Sequence, residues 1–101
     1  MGQRIDLQRT LETILGSDNV YFQPPPTIRL GYPCIVYKRS SGDTQFADDK
    51  PYTFMVRYTV TLIQRHPESA VFDKIAALPM CTYDRFYAID GLNHDVFNLY
   101  F

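Results

Sequence analysis

Few residues in this chain are placed to do chemistry. Its two histidines are His66 and His94. His94 precedes Asp95, and a carboxylate beside an imidazole can orient a general base. Consecutive side chains on a strand point to opposite faces, however, so this pair is not expected to bond. His66 stands before Pro67 at a helix start, where a capping or exposed role is expected. Asp43, Asp48 and Asp49 gather carboxylates in one polar stretch. Their spacing matches no calcium loop and no terminal bidentate Glu follows, so turn-forming acids are the expectation. Cys34 and Cys81 lack CxxC spacing; buried free thiols of a cytosolic protein are the simplest reading, and a disulfide between them is the alternative. GxSxG, HExxH, P-loop and GxGxxG patterns do not occur. The expectation is a protein that is no enzyme and holds no metal or cofactor. The competing reading is a small enzyme or regulator whose acid–base groups are assembled across the fold.

Composition narrows the classes further. A chain of 101 residues suits a single domain, here residues 1–101, with one modest core that partners can complete. A hydrophobic share of 46% is too high for a disordered chain. Eight Tyr and seven Phe without a Trp suit half-exposed sheet faces and interfaces alike. Ten basic and eleven acidic residues nearly cancel, whereas a dedicated nucleic-acid binder shows a basic excess. The start, MGQRIDLQRTL, lacks the apolar run of a signal peptide, and Asp6 stands where myristoylation wants Ser or Thr. No segment approaches the ~20 apolar residues of a membrane helix, so no membrane partner is expected.

The elements that must position these residues centre on Tyr52 to Arg65, YTFMVRYTVTLIQR. Tyr52, Phe54, Val56, Tyr58, Val60 and Leu62 share one face. Thr53, Met55, Arg57, Thr59, Thr61 and Gln64 mostly supply the other, with Ile63 the exception. Such alternation of β-branched and aromatic residues predicts a strand with one buried face. At about 3.3 Å per residue it runs on the order of 40 Å, far beyond the usual strand, so it bends or projects past its core.

Around it the chain predicts a helix over 3–15, with Leu7, Leu11, Ile14 and Leu15 inward and Arg4, Gln8, Arg9 and Glu12 in water. Gly16 stops it. Val20 to Gln23 suits a short strand, and Pro24-Pro25-Pro26 a stiff connector. Cys34 to Arg39 is the next strand, and Ser40 to Pro51 the long tip of a hairpin, a place that tends to carry function. A second helix is expected from Pro67 to Leu78, with Val71, Ile75 and Leu78 as its stripe. Cys81 to Ile89 is a strand of mixed alternation, Asp90-Gly91 a tight turn, and Asp95 to Phe101 a last strand. Its end, Tyr100-Phe101, is expected to be held in the sheet or against a partner. The sum is an α+β domain: a mainly antiparallel sheet of four to five strands, two helices on one face, and a long β-hairpin loop. In outline it shares a sheet-and-helix plan with RNA-recognition domains, but the long strand lacks their Gly and has a lone Arg57.

The run FADDKPYTFMVRYTVTLIQRHPES, then KIAALPMCTYDRFY, then DGLNHDVFNLYF resembles small virion proteins of siphoviruses infecting Gram-positive bacteria. These are the tail terminator or tail completion proteins, also called minor capsid or head–tail joining proteins. The resemblance spans Phe46 to Phe101 and is one of order and phrasing, not of a catalytic motif. It implies an α+β protomer of a hexameric ring in the virion, made in the host cytoplasm during assembly. The ring sits on the last ring of tail-tube protein, stops polymerisation and offers its other face to the head–tail connector or stopper protein. Genomic DNA passes through the lumen without specific binding; no catalysis or cofactor is implied. Neck adaptor and stopper proteins share much of this description and stand as the alternative, with a small nucleic-acid-binding α+β module behind them.

The physical features suit a ring. Rings need heterologous contacts that close by symmetry, so each protomer offers two unlike faces. A near-neutral chain suits a channel that DNA slides through. The expected contact is the hairpin tip, Gly42 to Pro51, on the tail tube or a neighbouring protomer. Phe46 is its anchor, Asp48, Asp49 and Lys50 its rim; Tyr52, Tyr100 and Phe101 complete the expected interface.

Overall fold

A computed structural model describes residues 4–47, 50–66 and 69–101, with the backbone alone for 41–47 and 50–55. In chain order these form α1 (Arg4–Leu15), β1 (Val20–Phe22), β2 (Cys34–Ala47), β3 (Lys50–Gln64), α2 (Ala70–Ala76), β4 (Cys81–Ile89) and β5 (Leu92–Tyr100). The strands make one sheet in the order β1-β2-β3-β5-β4. All neighbours run antiparallel except β1 with β2, so the fold is α+β with a five-stranded mixed sheet.

Period-two burial on β3 follows from what its two faces meet. Tyr58, Val60 and Leu62 are buried, and Arg57, Thr59 and Thr61 only partly so. Register carries the same face across the sheet: Leu62 lies opposite Ile35 and Asp95, Val60 opposite Tyr37 and Phe97, and Tyr58 opposite Leu99. Leu7 and Leu11 of α1 and Ile75 of α2 close over this face to form the core. Gln64 departs from the expectation. By parity it belongs with Leu62, and it is 5% exposed. Ile63 is buried on the helix-free face, beside Cys34.

Helix α1 ends as its sequence directs. Gly16 takes φ 80°, the left-handed stop that glycine accepts without a steric cost, and its N–H returns to Glu12 O at 2.9 Å. On α1, Gln8, expected in water, is half-buried and ties the helix to the sheet, while Arg4 is exposed as expected and adds a contact from outside. Tyr37 Oη donates to Gln8 Oε1 at 2.5 Å, and Gln8 Nε2 donates to Val20 O at 2.9 Å. Arg4 Nη1 donates to Tyr37 Oη at 3.2 Å, its guanidinium lying 4.6 Å from the centre of the Phe22 ring. Gln8 reaches inward, and Arg4 leans across from the surface, because Tyr37 brings a hydroxyl to the top of the core and a buried hydroxyl needs a partner. Burial still pushes the Tyr37 phenol pKa up, with Arg4 pulling the other way. Helix α2 is shorter than expected, starting at Ala70 after Ser69; Pro67 and Glu68 lie outside the described residues.

The largest correction concerns the hairpin. Ser40 to Pro51 reads as a long polar tip, yet β2 continues through Ala47 and β3 begins at Lys50, so most of it is paired ladder. Alternation fails as a guide here because the residues from Ser40 to Pro51 are mostly polar, whereas backbone pairing needs no apolar pattern. The hairpin, not its loop, is long. Asp90-Gly91 closes the other hairpin as expected: both take positive φ, 55° and 75°, between paired Ile89 and Leu92.

Candidate interaction surface

Past its core the sheet narrows to two strands. β1 pairs with β2 only over Ile35 to Tyr37, and β5 with β3 only from Arg57 onward. One further backbone pair, Val56 with Phe101, closes the core side: Phe101 N–H donates to Val56 O at 3.0 Å and Val56 N–H to Phe101 O at 3.4 Å. A bulge at Ser40 marks the junction. Its Oγ donates to Arg57 O at 2.9 Å and accepts from Arg57 Nε at 3.1 Å. Beyond it, β2 to Ala47 and β3 back from Met55 to Lys50 form an arm with an open ladder on both sides. The molecule measures 50 × 26 × 22 Å as a result.

The expected interface residues divide between the ends of this arm. Phe46 and Lys50 lie at its far end, opposite Pro51 and Ala47. Tyr52 falls at a register break, between the pairs Phe46–Pro51 and Gln45–Thr53. Asp48 and Asp49 lie outside the described residues. Tyr100 and Phe101 are at the base. Tyr100 N–H donates to Met80 O at 3.1 Å, and Phe101 packs against the core. The end of the chain is thus held in the sheet, about 17 Å along β3 from the tip residues at the usual rise per residue. The two groups do not form one patch.

A second surface carried no clear signal in the sequence. β4 is the outer strand on its side, and from Thr82 to Ile89 every residue is exposed. Tyr83, Phe86, Tyr87 and Ile89, with Met80 just before, make up most of the large exposed apolar side chains among the described residues. Mixed alternation has its cause in a bulge at Asp84. Tyr83 lies opposite Phe97, but Arg85 is already opposite Val96, so apolar residues of both parities come to share faces. Tyr83 and Phe86 fall on the helix-bearing face; Arg85, Tyr87 and Ile89 fall on the other. Phe72 of α2 packs its ring 5.5 Å from Tyr83, which touches Phe97 at 5.4 Å.

Among the described residues the histidines and cysteines form no common centre, and Asp48 and Asp49 of the acidic stretch lie outside those residues. His94 and Asp95 face opposite ways, as expected. His94 stacks on Tyr87 with ring centres 4.6 Å apart, while Asp95 accepts from Tyr83 Oη at 3.1 Å. His66 is exposed at the rim of a cavity of about 220 Å³ with Tyr32, Pro33, Gln64 and Arg65. Cys34 and Cys81 are free thiols. Two strands separate theirs, roughly 14 Å at the usual strand spacing, and a disulfide spans at most about 7 Å. Among the described residues no three His, Cys, Asp or Glu side chains cluster to hold a metal, and no helix is long and apolar enough to cross a membrane. An open groove of about 520 Å³ runs between the helices past Arg9, Thr13, Ile14, Lys74 and Leu78.

No protein-family model and no curated protein sequence matches this chain.

Proposed function

We propose that this chain is a structural virion protein that forms a ring at the head-proximal end of a siphovirus tail, capping tail-tube polymerisation and joining the tail to the head connector. The observation that carries the reading is the two-stranded arm. An isolated hairpin is marginally stable in water, and this one extends past the strands and helices that would cover it. Open edges on both sides suit a neighbour that adds its own backbone to the ladder. Support also comes from the phrasing of Phe46 to Phe101, and from a net charge of -1, which leaves a ring lumen without a strong hold on phosphates. In this reading the arm reaches the next protomer or the tail tube, with the compact half as the body of the ring.

The test is an arm-deleted protein, residues 43–55 replaced by Asn-Gly so that Gly42 stays opposite Val56, beside a Phe46→Ala, Asp49→Lys double variant of the full chain. Each is supplied in place of the normal protein during phage assembly. The expected result is folded protein, overlong tails and unjoined heads. Tails of normal length joined to heads, or particles whose collar lacks the protein, would end this reading.

A further inference from the structure

We propose that the free edge of β4 is a self-complementary docking strand whose occupant is a second copy of this chain, paired antiparallel about a two-fold axis between Asp84 and Arg85. Hydrogen-bond phase along β4 comes first. Residues on an antiparallel strand turn their N–H and C=O alternately toward one neighbour and the other. Met80 O accepts from Tyr100 N–H, so Met80 and Thr82 turn toward β5, and Cys81 and Tyr83 turn outward. At the other end Ile89 flanks the two-residue turn opposite Leu92, so it and Tyr87 face β5. Phe86 and Ala88 therefore turn outward. The bulge at Asp84 is what brings the two phases into agreement.

The outward residues Cys81, Tyr83, Phe86 and Ala88 are symmetric about the midpoint of Asp84 and Arg85. Laid against an inverted copy, Tyr83 meets Phe86 and Cys81 meets Ala88, each an outward residue against an outward residue. The side chains agree as well. Tyr83 and Phe86 both project from the helix-bearing face, so two aromatic cross-strand pairs form there. On the opposite face Thr82 meets Tyr87.

Charge completes the match. Asp84 and Arg85, exposed and 3.7 Å apart within one chain, come to lie opposite each other's counterparts in the copy. That gives two equivalent cross-strand ion pairs. The strand carries no Lys or Pro, two common devices that keep an edge from pairing. Strand-edge contacts of this size fall below about 1,200 Å², in the weak and transient class, so the dimer is a state of concentrated protein. It concerns the free protein and uses a different edge from the arm, so it stands apart from the ring reading.

Sedimentation of the full chain from micromolar to millimolar concentration tests it. A monomer–dimer equilibrium is expected. R85D sets carboxylates against each other across the axis, and D84R sets guanidiniums; each raises the dissociation constant about tenfold or more. D84R/R85D restores the pairing to within about threefold of the starting protein. F86P removes an outward N–H that the fold itself does not use, and abolishes the dimer; should it fail to fold, the charge-swap series decides. Monomer throughout, a dimer indifferent to both single swaps, or growth beyond two copies would overturn the proposal, and the last would favour heterologous ring contacts instead.

Discussion

Tyr83 Oη donates to Asp95 Oδ1 at 3.1 Å, although the tyrosine is half exposed on the outer strand and the aspartate is 4% exposed. Asp95 sits on the core face of β5, and its Oδ2 has no partner among the described residues. The edge strand thus supplies the donor that this buried acid depends on. Burial raises the Asp95 pKa above the usual carboxylate range, with the Tyr83 hydrogen bond and the charge of His94 pulling it back. A carboxyl raised in the folded state contributes its stability below the unfolded pKa and loses it as pH rises through the folded value. Asp95→Asn therefore stabilises the fold at neutral pH, and the gain fades as pH falls through the raised Asp95 pKa and is gone below about pH 4. Urea unfolding of both proteins across that range checks the sign.

Tyr83→Phe has the opposite effect. It removes the donor and leaves a buried acceptor unmet, at a cost of about 1–2 kcal/mol near neutral pH. The ring contacts with Phe72 and Phe97 remain, so the loss belongs to the hydrogen bond. Combining Tyr83→Phe with Asp95→Asn in a double-mutant cycle isolates the coupling between them.

Tyr37 clamps α1 to the sheet through Gln8 and Arg4 while its ring packs 5.0 Å from Phe22. Tyr37→Phe keeps the ring and removes the hydroxyl. The expected loss is about 1–2 kcal/mol by urea unfolding. Helix content falls little, because Leu7 and Leu11 still anchor the helix.

Phe97 and Ile89 separate the core from the edge. Phe97 is fully buried beneath Phe72 and Tyr83, so Phe97→Ala costs about 3–5 kcal/mol. Ile89 is 54% exposed, and Ile89→Ser changes stability by less than about 0.5 kcal/mol in the monomer. Equal costs at the two sites would contradict the face assignment given to β4 and β5.

Burial pushes the Cys34 thiol up to about 11 and raises that of Cys81. The thiolate is the reactive form, so a folded-state thiol reagent near neutral pH modifies Cys34 slowly and unfolding releases it. A reductant leaves the unfolding midpoint unchanged, since the two sulfurs lie too far apart to bond.

Where one face of an element meets the core, its placement could be read from residue spacing. Tyr58, Val60 and Leu62 give their burial away, as do Phe97 and Leu99, and Asp90-Gly91 names its turn. Spacing misleads where a strand lacks an apolar alternation. The polar run from Ser41 to Ala47 resembles a loop, yet its backbone is paired along its length. A bulge at Asp84 scrambles the parity of β4, and spacing cannot announce an inserted residue. Gln8 looks like a solvent residue until Tyr37 places a hydroxyl above it. The expected interface set split because Tyr100 and Phe101 are far from Phe46 only once the register of β3 is known.

β3 has a paired strand on each side over its core half, whereas β4 and the arm have one. Every amide on the buried stretch from Tyr58 to Leu62 is bonded into one flanking ladder or the other, so freeing the stretch as a whole requires both to part and the domain to open. On β4 and the arm alternate amides turn outward with no ladder partner and exchange without any opening, and the rest need only a single ladder to fray. Deuterium uptake therefore falls toward the middle of the sheet and rises toward its edges, making β3 the slowest clock in the molecule.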